Sequence, residues 1–236
     1  MSKNSPKRKT TPSIGTKNES SLHRALKFRY SGSGGTTETS IGDYVCDGQT
    51  REGEIIEVQT GSLGPLKQKA KNLTETGKVR IIHPIIFQKH IEVYDAGGKK
   101  LLRRRKSPRK GSAWDLFNAL VYAPELPLLK NLIIELVITD IVEKRVDDGS
   151  GSWRRKGVRI ADHSLAALRQ SIVLQKPKDY LQFIPFAKKE DFTVKDLSEK
   201  AGVDVDLARK TLYVLTKMSL VERIGKRDRA FVYIRK

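Results

Sequence analysis

The segment GDYVCDGQTREGEIIEVQTG, residues 42–61, contains two short apolar runs separated by turn-forming residues. IGDYVC and EIIEVQ are rich in strand formers, and DGQTREG between them is typical of a turn. The segment therefore predicts a β-hairpin. If the turn is centred near Thr50, Asp43 lies opposite Glu57 on the neighbouring strand, and Asp47 is expected to be a turn residue.

Two carboxylates on adjoining strands restrict the chemistry of this hairpin. Each charge raises the pKa of the other acid unless a cation lies between them. Carboxylate oxygens, together with water and a phosphate oxygen, are ligands that suit Mg²⁺ or Mn²⁺. The pattern therefore predicts a divalent-cation site at Asp43 and Glu57. The alternative is a pair of structural acids neutralised by neighbouring Lys or Arg.

Helices and strands alternate on both sides of the hairpin. A helix is predicted at about 20–30, capped by Asn18 or Ser20, and SGSGGTTETS after it is predicted to be a flexible loop. A helix in LGPLKQKAKNLTETG and a buried strand in KVRIIHPIIF follow the hairpin. Farther along, NLIIELVITDIVEKRV predicts a strand and DHSLAALRQSIV a helix. This order predicts an α/β or α+β domain over 19–175.

The C-terminal segment, 177–236, has a different pattern. PKDYLQFI predicts a short helix, TVKDLSEKAG begins with the capping-box residues Thr193 and Asp196, and a longer helix and a basic-tipped hairpin follow. This order resembles the winged helix-turn-helix fold, in which the third helix commonly enters the major groove and the wing contacts phosphates. The resemblance implies groove contacts by Arg209, Lys210, Tyr213 and Lys217, and wing contacts by Lys226, Arg227 and Arg229. A winged helix that docks another protein is the alternative.

Residues 19–90 resemble the PD-(D/E)XK nuclease superfamily, which has the restriction-endonuclease-like fold. The resemblance lies in the acid on one strand, the turn, the second acid followed two residues later by Gln59, the helix before the hairpin and the α-β unit after it. It implies Mg²⁺-dependent hydrolysis of DNA, with Mn²⁺ as the other candidate ion. It also implies that Glu19, Asp43 and Glu57 bind the metal.

Two departures from that family pattern lead to specific expectations. The Gly/Ser loop replaces most of the strand that family members have before the first acid, so this strand is expected to be short or missing. Gln59 stands where the family has lysine, and it is expected to orient the attacking water. The missing positive charge is expected from the next helix, from Lys67 in preference to Lys69.

The net charge of +19 is concentrated in a few segments, a distribution typical of a protein that binds a polyanion. The segments outside the winged helix are 1–18, which is predicted to be a disordered basic arm, 99–110 and 153–159. Contacts with nucleic acid are therefore predicted for Arg103, Arg104, Arg105, Lys106, Arg154 and Arg155. DNA is the expected partner, a homodimer is possible, and no membrane partner is expected. The single cysteine, Cys46, fits a reducing cytoplasmic compartment.

The sequence therefore leads to two hypotheses. The first is a metal-dependent nuclease with Asp43, Glu57, Gln59 and Lys67 as catalytic residues. The second is a non-catalytic DNA-binding protein or transcriptional regulator with a degenerate nuclease-like domain.

Overall fold

The computed structural model describes residues 19–236, so the predicted basic arm lies outside the described residues. The fold is α+β, with a seven-stranded mixed sheet and a smaller three-stranded antiparallel sheet. The strands of the large sheet are β1 (Thr36–Ile41), β2 (Tyr44–Gln49), β3 (Ile55–Val58), β4 (Val79–Tyr94), β5 (Leu101–Lys106), β6 (Leu132–Asp147) and β7 (Val158–Leu174). The helices that accompany this sheet are α1 (Ser21–Ser31), α2 (Lys67–Thr76) and α3 (Leu116–Leu120).

The order of strands in the large sheet is β1-β2-β3-β4-β6-β7. The first three strands form an antiparallel meander, and α2 then connects β3 to the parallel strand β4. β6 is parallel to β4 along its whole length, and β7 returns antiparallel to β6. β5 pairs with the C-terminal half of β4, on the edge that β3 leaves free.

The two faces of the sheet are covered by different helices. On one face, Leu22 and Leu26 of α1 pack with Ile56 of β3 and Ile82 of β4. On the other face, Ala70 and Leu73 of α2 and Leu116 and Phe117 of α3 belong to the main core, which also contains Ile55 and Ile81. Neighbouring residues of β3 therefore face different helices, as alternation along a strand requires.

Two predicted elements are wrong. The segment predicted as a flexible loop contains β1, whose threonine-rich residues pair with β2 through the turn at Gly42 and Asp43. The predicted helix DHSLAALRQSIV lies within β7, which pairs with β6 from Val158 to Leu174. Pairing with a long buried neighbour outweighs the local helix preference of the Ala/Leu run, because helix propensity is a weak determinant.

The predicted elements of the C-terminal segment are present, and one strand was missed. A 3₁₀-helix at Pro177–Phe183 precedes β8 (Asp191–Thr193), α4 (Val194–Ala201), α5 (Val205–Lys217), β9 (Val221–Arg227) and β10 (Ala230–Arg235). The capping box of Thr193 and Asp196 starts α4 as predicted. α5 packs against α3, and Leu212 and Leu215 of α5 share one core with Phe117. The small sheet therefore lies beside the large one as part of a continuous packed core.

Among residues 19–236, no helix has the length and apolar character needed to cross a membrane.

Candidate active site

The hairpin brings Asp47, and not Asp43, next to Glu57. Its turn closes over Thr50–Glu54, where Gly53 has a positive φ of 86° and Thr50 N–H donates to Glu54 O. Ile55 and Ile56 are consequently paired with Gln49 and Gly48. The predicted pairing of Asp43 with Glu57 is therefore wrong: Asp43 lies in the preceding turn, between β1 and β2, and is exposed.

The carboxylate of Asp47 accepts a hydrogen bond from the main chain of β3. Its Oδ2 accepts the main-chain N–H of Val58 at 2.8 Å and lies 3.3 Å from His23 Nε2. Burial disfavours the charged form, but the hydrogen bonds from His23 and from Val58 N–H outweigh it, and the pKa of Asp47 is lowered. Asp47 is therefore an ionised side chain bound to the last residue of β3.

Glu57 is more deeply buried, with 5% of its surface exposed. Lys69 Nζ of α2 lies 2.6 Å from Glu57 Oε1, but Oε1 accepts no hydrogen bond of good geometry. Burial raises the pKa of Glu57 against the lowering effect of Lys69, and the charge of Asp47 raises it further. The two carboxylates are thus close enough to interact, and each has its own cation.

His23 is a member of this cluster that sequence reasoning missed. Its Nδ1 lies 2.5 Å from Glu19 Oε1, and its Nε2 lies 2.9 Å from the carbonyl oxygen of Val58. The hydrogen bond to Asp47 and, to a smaller degree, the contact with Glu19 raise the pKa of His23 to about 9, against the effect of burial. An imidazolium therefore links Glu19 to Asp47. The signal available in the sequence was the i, i+4 spacing of Glu19 and His23.

Lys27 completes the α1 side of the cluster. Its Nζ lies 3.0 Å from Glu19 Oε1 and 3.1 Å from Glu38 Oε1. Glu19, which precedes α1, therefore has two cationic neighbours on that helix, and together they lower its pKa against the effect of burial. Glu19 is near Asp47 through His23, whereas the predicted metal set of Glu19, Asp43 and Glu57 is not assembled.

The structure places Lys69, and not the predicted Lys67, next to Glu57. Lys67 forms an ion pair with Glu125, away from the carboxylates, whereas Lys69, half a turn later, reaches Glu57. Gln59 lies two residues past Glu57, and its Nε2 donates to the carbonyl oxygen of Ser62 at 2.6 Å. Gln59 therefore fixes the loop that follows β3, and its role in orienting water stays a prediction.

The donors at this site are chemically suited to Mg²⁺ or Mn²⁺. Asp47, Glu57 and the Val58 carbonyl supply hard oxygen atoms, and Glu57 Oε1 is buried against Lys69 Nζ. Residues 19–236 contain no group of three or more His, Cys, Asp or Glu side chains that could hold a metal ion. Mg²⁺ commonly uses one or two carboxylates completed by water and substrate phosphate, so the chemistry of these oxygen atoms suits such an ion. Asp47 is held by His23 of α1, and Glu57 by Lys69 of α2 on the other face of the sheet. The ion would compete with His23 and Lys69 for the carboxylates.

The basic candidates on the large sheet are exposed. β5 is paired only with β4, and all of its residues, including Arg103–Lys106, are exposed. Arg154 and Arg155 lie in the 3₁₀ turn between β6 and β7, where Arg154 stacks on Trp153, which is 83% exposed. These positions can reach a phosphate backbone, because their charges are not buried in the fold.

The C-terminal candidates divide into two groups. Arg209, Tyr213 and Lys217 lie on the exposed side of α5 and line a groove between α5 and the β9–β10 hairpin. Lys210 instead donates to Asn118 of α3 and pairs with Asp206, so it faces the large domain. Among the hairpin residues, Lys226 lies over Phe231, Arg227 pairs with Asp191, and Arg229 is exposed at the tip.

Comparisons with known proteins identify a family without a described activity. The family model named "Domain of unknown function (DUF8091)" matches residues 20–175, which include α1, the hairpin and the strands through β7. An uncharacterized protein from Treponema pallidum (strain Nichols) is 29% identical over 220 residues, covering 93% of this chain and 86% of that protein. No solved structure gives a significant match. Because the family model covers most of the chain, the protein belongs to the DUF8091 family.

Proposed function

We propose that this protein is a metal-dependent nuclease that hydrolyses DNA phosphodiester bonds, with Asp47 and Lys69 in the positions first assigned to Asp43 and Lys67. The observation that carries the proposal is the buried Glu57, which is opposite Asp47 in the hairpin register, has a raised pKa and has Lys69 Nζ 2.6 Å from its Oε1. A buried carboxylate with a perturbed pKa and a specific charged partner is typical of functional sites.

The order of the elements supports the resemblance to the PD-(D/E)XK superfamily. A helix, three antiparallel strands, a second helix and a parallel strand follow one another from α1 to β4. The strand β1 supplies the element that was expected to be short or missing. Under this proposal Asp47 and Glu57 would hold the ion, which would lower the pKa of a bound water and neutralise charge that develops on the phosphate.

The residues of the chain have separate roles in this proposal. Lys69 supplies a positive charge for the phosphate oxygens that approach Glu57. His23 fixes the Asp47 carboxylate and the Val58 carbonyl against α1, so it is a positioning residue. The exposed cations of β5, of the β6–β7 turn and of α5 bind the phosphate backbone, a contribution that depends on salt and not on sequence.

A cleavage assay with matched variants tests the proposal. Supercoiled, linear and branched DNA are incubated with the protein in Mg²⁺, Mn²⁺ or EDTA, and products are separated by electrophoresis. Asp47→Asn and Glu57→Gln should each reduce cutting by at least about 100-fold, since each removes a charged oxygen donor. Asp43→Asn should cut like the parent. Lys69→Gln should impair cutting, whereas Lys67→Gln should not.

The outcome also decides between nuclease and regulator. A non-catalytic DNA-binding protein is favoured by one observation, namely that His23 and Lys69 already neutralise both carboxylates. Binding of DNA without cutting in either metal would support that alternative. Cutting that persists in both Asp47→Asn and Glu57→Gln would show that this cluster is not the active site.

A further inference from the structure

A cavity of about 400 Å³ is lined in part by Thr60 and Ser62, which follow Glu57 in the chain. It occupies a gap in the large sheet beside β4, because β3 ends at Val58 and β5 pairs with β4 only from His90 onward. Between these limits, no strand formed by residues 19–236 pairs with this edge of β4. The side chains that determine its character are Thr60, Ser62, His83, Ile86, Arg109 and Asn118.

The loop between β5 and α3 closes one side of the cavity and is held tightly against β4. Ser107 N–H donates to Lys89 O at 2.8 Å, and Gly111 N–H donates to Ile86 O at 2.9 Å. A Cβ at Gly111 would lie 2.5 Å from Ile86 O, so only glycine allows this approach. The cavity is therefore a fixed feature of the fold.

His83 gives the cavity a buried hydrogen-bond acceptor. Its ring is 5% exposed, and Nδ1 lies 2.6 Å from the carbonyl oxygen of Gln59, so Nδ1 carries the proton. Burial lowers the pKa of His83 and favours the neutral ring. Nε2, which has no hydrogen bond within residues 19–236, is then an acceptor on a side chain that lines the cavity.

The other walls define the ligand further. Pro84, Ile86 and Ala119 are apolar, whereas Thr60 and Ser62 add hydroxyl groups at the side of the β3 loop. Of the two cations in the wall, Lys89 is neutralised by Glu143 and Arg109 lies 3.6 Å from Asp115. An uncharged group with hydrogen-bonding edges suits these walls better than a free anion does. The volume lies at the lower end of the range for small-ligand pockets.

We propose that this cavity receives one nucleobase of the bound DNA, extruded from its stack next to the phosphodiester at the carboxylates. The inference rests on the proposed function in that it requires DNA to lie at the end of β3. The main chain connects the two sites directly, because Gln59, two residues past Glu57, bonds to His83. A neutral His83 Nε2 accepts a hydrogen bond from an amino or imino group on the edge of a base, and the apolar walls replace its stacking neighbours.

Oligonucleotides with a single 2-aminopurine test this inference, because the fluorescence of this base rises when it leaves the stack. The label is moved through successive positions of a short duplex and of a single strand, with EDTA present to prevent cutting. DNA binding is followed in parallel by the anisotropy of a fluorescein-labelled copy. We expect a several-fold rise in 2-aminopurine fluorescence at one position or two adjacent positions.

A matched pair of variants assigns the signal to the cavity. Ile86 and Ile160 are both 37% exposed and both lie on strands, but only Ile86 lines the cavity. Ile86→Phe should abolish the rise while DNA still binds, and Ile160→Phe should behave like the parent. DNA binding without a rise at any position, or a rise that survives Ile86→Phe, overturns the cavity assignment alone. Absence of DNA binding overturns the proposed function together with it.

Discussion

At the scale of single residues, His23 shows how this site balances its charges. Its ring connects Glu19 with Asp47 and the Val58 carbonyl, so one cation from α1 satisfies three oxygen atoms. The ring has to be protonated to donate from both nitrogens. Its pKa of about 9, against an ordinary value of 6.5, means that the folded protein binds this proton more tightly than the unfolded chain.

The pH dependence of stability should therefore reveal His23. Because the folded pKa is raised, the stabilisation is fully present below pH 6.5 and is lost as the pH rises toward 9. We expect the free energy of unfolding of the parent to fall between pH 6 and pH 9.5 by roughly 2–3 kcal/mol more than that of His23→Gln. Denaturant titrations in EDTA measure it. His90→Gln, which removes a histidine of β4 outside this cluster, is the control for the loss of a histidine elsewhere. Equal slopes for the parent and His23→Gln would contradict the protonated assignment.

At the scale of elements, the sequence indicated the hairpin, α1, α2 and most long strands, but not the register of the hairpin. Register depends on where the turn closes, and the positive φ of Gly53 places the turn at 50–54. A shift of this kind exchanges Asp43 for Asp47, although both acids are visible in the sequence. Lys69 was distinguishable from Lys67 only through the packing of α2 on the sheet.

Long-range pairing explains the other differences at this scale. Residues 162–173, DHSLAALRQSIV, carry a helical pattern, yet β6 offers an edge along which they pair. Asp162 of β7 also accepts the N–H of Ser21 at the start of α1. The cavity beside β4 could not be predicted from the sequence either, because it depends on where the pairing of β3 and of β5 with β4 stops. Neither a strand partner nor a gap between strands is encoded by local periodicity.

The loop that closes this gap provides a test of stability at the element scale. Gly111→Ala places a Cβ 2.5 Å from the Ile86 carbonyl, so the loop or β4 must shift. The free energy of unfolding should fall by roughly 1–3 kcal/mol. Gly61→Ala is the matched control, since a Cβ there meets nothing within 4 Å and the residue is exposed. Chemical denaturation of both variants measures the difference. If Gly111→Ala had the stability of the parent, the contact between residue 111 and the Ile86 carbonyl would not be rigid.

At the scale of the whole molecule, several acidic side chains are buried beside cations, whereas many of the Lys and Arg side chains lie on the surface. Glu143, with 2% of its side chain exposed, contacts Lys89, Arg145 and His163 together. In contrast, the net charge of +19 is accompanied by exposed cations on β5, in the β6–β7 turn and along α5. The contact between α3 and α5 packs the C-terminal segment, with its groove, against the domain that contains the cavity. One DNA segment bound in the groove is thus expected to continue toward β3.

Salt dependence tests whether the exposed side of α5 contacts this DNA. Arg209 and Lys217 flank the groove, so replacing both with Gln should weaken binding and reduce the slope of log K against log salt by about 2. Lys195→Gln on α4 is the control, because Lys195 is 79% exposed but lies outside the groove. Lys210→Gln should leave the slope nearly unchanged, since Lys210 bonds to Asn118 and Asp206. Anisotropy titrations from low to moderate salt measure all four proteins. A double variant with the slope of the parent would mean that the DNA is held by β5 and the β6–β7 turn without α5.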